Sequence, residues 1–104
     1  MNRREKRRYA ISLPVRFKVE KNPATVTGAG TILNFSSGGI AFESGETFKP
    51  GTAMQLFIDW PTLLDGAIPI MLVVVGVVLR SDGHFTAMRI KSYEFRTQRK
   101  HARR

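Results

Sequence analysis

The chain has no cysteine. That excludes disulfide staples, thiolate metal ligands and cysteine nucleophiles, and it fits a reducing compartment, so the cytoplasm is the expected location. Histidine is scarce: His84 and His101 are far apart, and His101 lies among basic residues. No His, Asp or Glu grouping has metal-ligand spacing, so no metal is expected. The chain carries neither a G-x-S-x-G elbow nor a G-x-x-x-x-G-K-[ST] phosphate loop. Without a nucleophile, a base or a phosphate cradle, the expectation is a protein that is not an enzyme and carries no cofactor. Long apolar runs are missing too. The longest, Ala67–Leu79 (AIPIMLVVVGVVL), is short of the about 20 residues a spanning helix needs. Pro69, Gly76 and its valines suit strands, so membrane insertion is not expected. The basic start is not followed by an apolar secretory segment.

What is present is one domain's worth of chain, 104 residues with a 42% hydrophobic share, enough for a single core. The net charge of +9 is unevenly placed. Residues 1–8 contain Arg3, Arg4, Lys6, Arg7 and Arg8 against Glu5. Residues 96–104 contain Arg96, Arg99, Lys100, Arg103 and Arg104. The seven basic and seven acidic side chains of residues 9–95 cancel. A neutral body with two basic ends attracts anions, yet it lacks the basic face that a nucleic-acid-binding barrel spreads along its strands.

Hydrophobic periodicity is that of strands. In residues 9–20, Ile11, Leu13, Val15, Phe17 and Val19 alternate with polar neighbours, and Pro14 marks an edge or bend. KNPAT (21–25) reads as a turn, and 26–35 as a weaker strand with glycines. SSGG (36–39) turns the chain into a strand over 40–44. Residues 53–60 alternate Met54, Leu56, Ile58 and Trp60. A β-branched strand over 68–80 leads through a turn at Ser81–Gly83 to a strand over 84–91. Five or six short strands without a strong interior helix predict an antiparallel barrel or sandwich. Residues 93–104, YEFRTQRKHARR, read as a short basic helix or a tail.

Two stretches carry candidate chemistry. In NFSSGG, Asn34–Gly39, an extended backbone puts Asn34 and Ser36 on one side and Phe35 on the other. Phe35 can then enter the core while Asn34 and Ser36, each able to donate and accept, read a base edge or hold a phosphate. Gly38 and Gly39 allow positive φ and close approach of a ligand to the backbone. The plainer reading is a hairpin turn made of favoured turn residues. In RREKRR, Arg3–Arg8, paired arginines fork onto phosphate and stack on bases. The plainer reading there is a solvated tail. Arg80 and Arg89 read as solvated or paired, and Phe57 and Trp60 as core or rim rather than stacking platforms.

The pair Arg4-x-x-x-Arg8, the strand with SLPVRF, then Asn34-x-Ser36-x-x-Gly39, and finally VVVGVVLRSDGHFTAMRI resemble a PilZ domain over roughly residues 3–91. The family pattern is RxxxR followed by [D/N]xSxxG. The resemblance implies a bacterial, six-stranded antiparallel barrel over residues 9–92, preceded by an arginine segment (1–8) and followed by a C-terminal helix or tail (93–104). It further implies a receptor or adaptor for cyclic di-GMP, the second messenger. Arg4 and Arg8 would clamp the ligand, Asn34 and Ser36 would read a guanine, and Gly39 would keep the turn open. Arg3-x-x-x-Arg7 satisfies the same spacing. Arg4/Arg8 is favoured because Tyr9 follows it as an aromatic often does in the family, and Arg3, Arg7 and Gly38 become additional contacts. Ligand binding would order the arginine segment and so signal to a partner protein. The alternatives are a PilZ-like protein-interaction module without ligand, or a small barrel binding nucleic acid through its basic ends.

Overall fold

The structure, a computed structural model, describes residues 9–20 and 24–97. Six strands follow one another: β1 (Tyr9–Glu20), β2 (Thr25–Phe35), β3 (Gly39–Ser44), β4 (Ala53–Asp59), β5 (Ile70–Asp82) and β6 (Phe85–Thr97). They close into an antiparallel barrel in the order β1-β2-β3-β6-β5-β4. Closure pairs β1 with β4 from Val15↔Ile58 to Lys18↔Gln55 and leaves the barrel wall without an unpaired edge. The all-β expectation therefore holds, and no helix occurs among the described residues.

The predicted alternation places the core. Val15, Phe17 and Val19 of β1 meet Met54, Leu56 and Ile58 of β4 in the barrel interior. Ile32, Ile40, Phe42, Leu72, Val74, Val78 and Met88 complete it. Full burial of an aliphatic or aromatic side chain contributes about 1.5–3 kcal/mol, so this cluster is the main source of stability. Pro14 lies one residue before the β1–β4 ladder begins.

The two barrel ends differ. At one, the loop between β3 and β4 lays Phe48 over the core, its ring 5.2 Å from Phe17 and 6.4 Å from Phe42. The Phe48 backbone N–H donates to Ser81 Oγ (3.1 Å), and that hydroxyl meets the buried Thr86 hydroxyl at 2.9 Å. Among the described residues no such plug covers the other end. There Phe35, Trp60, Tyr93 and Phe95 form a chain of ring contacts around a cavity of about 280 Å³.

Most strands have a boundary shifted by one or two residues, β5 running over Ile70–Asp82 instead of 68–80, and the largest differences lie around β6. The β5–β6 turn is Gly83–His84, not Ser81–Gly83, because Ser81 and Asp82 still pair with Thr86 and Phe85. Gly83 takes φ 59°, the conformation a two-residue hairpin needs at its first loop position. Residues 93–97 are neither helix nor tail: β6 continues to Thr97, past the expected barrel boundary at residue 92, each residue paired with β5. The alternation of Tyr93, Phe95 and Thr97 with Glu94 and Arg96 is a strand period, and β5 offers a partner for all of it.

Candidate functional site: the β2–β3 turn and the barrel mouth

The motif Asn34–Gly39 spans the end of β2, the turn and the first residue of β3. Its geometry is set by a bulge. Between Ile32 and Asn34, β2 spends two residues where β3 spends one, with Ile32 opposite Phe42 and Asn34 opposite Ala41. The extra residue, Leu33, shifts the alternation. Ile32 and Phe35 thus both face the interior, Phe35 opposite Ile40, while Asn34 faces outward with Ala41. Phe35 packs against the core and sits 5.9 Å from the Trp60 ring. The inward Phe35 and outward Asn34 match the expectation, although simple alternation from Ile32 would have reversed them.

Asn34 has an unusual environment for an outward residue. Its side-chain Oδ1 is buried and has no hydrogen-bond partner among the described residues. An orphaned acceptor costs about 1–3 kcal/mol of desolvation, so such an atom needs a reason. Along the outer face its cross-strand neighbours are small: Ala41 on β3, then Ala87 on β6, with Arg80 on β5 beyond. The two alanines form a strip of small side chains between Asn34 and Arg80, with Ala41 only 2% exposed.

The turn is held by backbone. Ser36 N–H donates to the Gly39 carbonyl at 2.9 Å, and Ile90 N–H donates to the Gly38 carbonyl at 3.0 Å, tying the turn to β6. Ser36 and Ser37 border the mouth cavity with Phe35, Trp60, Tyr93 and Phe95. One part of the expectation is corrected. Gly38 and Gly39 do not use positive φ, which occurs instead at Gly51, Asp65, Gly66 and Gly83. What glycine supplies at Gly39 is proximity: a Cβ there would lie 3.3 Å from the Met88 carbonyl oxygen of the neighbouring strand. At Gly38 a Cβ would meet open space.

The structure thus brings Asn34, Ser36, Gly38 and Gly39 together. Arg3, Arg4, Arg7 and Arg8 lie outside the described residues, but β1 enters beside the motif, Tyr9 opposite Phe35 and Ala10 opposite Asn34. Arg80 and Arg89 are exposed, and the Arg80 guanidinium stands 5.4 Å from the centre of the Phe85 ring. Phe57 is part-buried in the wall and Trp60 is at the rim. The sequence reading missed the aromatic mouth, because Tyr93 and Phe95 sat in a stretch read by its charge. The alternation from Tyr93 to Thr97 was the available signal. It also missed the alanine strip, for which the signal was small residues at outward positions of two strands.

Among the described residues no group of three or more His, Asp or Glu side chains could hold a metal ion.

A search among curated proteins finds no match. Among solved structures, the inhibitor of motility MotI/DgrA of Bacillus subtilis superimposes with a TM-score of 0.67 at 22% identity. The match covers 90% of this chain but 45% of that one, so this chain spans less than half the length of that neighbour. At such identity the likeness speaks to fold, and it agrees with the closed six-stranded barrel. The family model of the PilZ domain matches residues 2–104, and with the barrel and the Asn34–Gly39 turn in place, the chain belongs to the PilZ domain family.

Proposed function

We propose that this domain is a receptor for cyclic di-GMP that carries the signal to a partner protein, as a binding module and not an enzyme. PilZ membership supports the ligand class, and both halves of the family's binding pattern occur in order, Arg4-x-x-x-Arg8 and Asn34-x-Ser36-x-x-Gly39. The observation that carries the reading is the orphaned Asn34 Oδ1 at the motif's first position. A guanine edge presents N–H donors, and an acceptor already stripped of water pairs with such a donor without a further desolvation cost. The Ser36 hydroxyl adds a donor and acceptor two residues on. Arg4 and Arg8 supply forked donors for phosphate and flat cations for a base face. Binding then sets the arginine segment against the β2–β3 turn, and the composite surface is what the partner reads.

The arginine register is tested by calorimetric titration of single alanine variants. Arg8→Ala removes a charge-assisted contact worth about 1.5–3 kcal/mol, so binding weakens tenfold or more. Arg4→Ala behaves likewise, while Arg3→Ala and Arg7→Ala lose less. If Arg8→Ala bound as tightly as the parent, the clamp as drawn would be wrong.

A further inference from the structure

Past the barrel, β5 and β6 run on as a two-stranded ribbon. On its other side β6 pairs with β3 only from Phe85 to Arg89, and the Ile90 N–H to Gly38 carbonyl bond is the last tie. The ladder slips at Lys91, an extra residue on β6. From there to Thr97 β6 has a partner on the β5 side alone among the described residues. Its faces are sharply different. Tyr93 lies opposite Val74 and Phe95 opposite Leu72, so both rings belong to the core-facing side, yet they are 58% and 52% exposed. The outer face carries Glu94 and Arg96, ion-paired with each other. A free edge beside exposed aromatics is a template for pairing, and proteins usually cover or blunt one.

We infer that a second copy of this chain docks here, β6 against β6 and antiparallel, with the two-fold axis at Phe95. Directly opposite residues of an antiparallel pair share a face, so only a centre on a residue keeps the aromatic sides together. A centre on Glu94 sets two carboxylates face to face. A centre on Tyr93 puts Glu94 opposite Ser92 and leaves the charges unmatched. A centre on Phe95 puts Glu94 opposite the partner subunit's Arg96 and Arg96 opposite the partner subunit's Glu94. It also puts Phe95 across from itself and Tyr93 across from Thr97. Charge complementarity thus selects one register, and the two ribbons become a four-stranded sheet with an aromatic face. The assembly closes at two copies, because the far side of β5 is taken by β4 from Met71 to Val77.

The lack of native cysteine makes the register directly testable. Opposite residues of an antiparallel pair have Cα atoms about 4.5–5.5 Å apart, within disulfide reach. Phe95→Cys is expected to form a covalent dimer on oxidation, whereas Leu79→Cys, 54% exposed on β5, is not. In sedimentation velocity the parent sediments as a dimer at raised concentration. Glu94→Arg and Arg96→Glu each weaken association roughly tenfold, since the axis alters two cross-strand pairs at once. The double reversal restores it, and thermal melts confirm that each variant is folded. A parent that stays monomeric at every concentration, Phe95→Cys linking no faster than Leu79→Cys, or a double reversal no better than the singles would each overturn the inference.

Discussion

Asn34 is the residue on which binding and stability separate. Its buried Oδ1 has no partner among the described residues, so folding carries its desolvation cost without return. Replacing it with alanine removes that cost. Asn34→Ala is therefore expected to leave the urea midpoint unchanged or raise it, while weakening cyclic di-GMP binding tenfold or more. A variant that lost stability and kept its affinity would mean the amide serves the fold. Asn34 could be picked out from sequence because an Asn-x-Ser-x-x-Gly spacing is visible in one dimension. Its burial could not, because that depends on the bulge at Leu33 and on the neighbours Ala41 and Ala87, which come from other strands. Gly39 shows the same limit: a glycine can be seen in sequence, but whether it serves φ or proximity to Met88 is decided by the adjacent strand.

Among the elements, strands with one apolar face were legible almost to the residue. Val15, Phe17 and Val19, and Met54, Leu56 and Ile58, alternate in sequence and are buried as that alternation requires. The end of β6 was not legible, because the basic residues from Arg96 onward masked a two-residue period that β5 completes. The strands also approach one another closely at two glycines. A Cβ at Gly30 would collide with the Glu43 carbonyl oxygen on β3, and one at Gly76 with the Arg89 carbonyl oxygen on β6. These obstacles are backbone and cannot swing away. Gly30→Ala and Gly76→Ala are each expected to cost about 1–3 kcal/mol, the range of overpacking, read as a lower urea midpoint. Gly45→Ala, with open space around it, should sit close to the parent. Equal midpoints for all three would show that the ladders are looser than drawn.

At the scale of the whole molecule, a neutral barrel carries basic residues at both chain ends, and among the described residues one of its mouths is plugged by Phe48 and the other holds an aromatic-lined cavity. Strand count and turn spacing left barrel and sandwich both open, and the family resemblance implied the barrel. The unequal ends were not legible, because Phe48 closes one through a loop whose path no periodicity encodes. The single tryptophan, Trp60, lies 5.9 Å from Phe35 at the aromatic mouth beside the β2–β3 turn. Its fluorescence is therefore expected to change on saturation with cyclic di-GMP and to stay constant with GTP. No change during a titration that calorimetry shows to saturate would place the ligand away from this turn. Binding driven only by the charged ends would instead fall steeply with salt and accept any polyanion.

The most direct test of the receptor reading is calorimetric titration of the whole chain with cyclic di-GMP at moderate salt, with GTP and a short single-stranded DNA as controls. The expected result is saturable binding of cyclic di-GMP alone, lost or strongly weakened in Asn34→Ala. No heat with cyclic di-GMP, or equal binding of all three ligands, would contradict it.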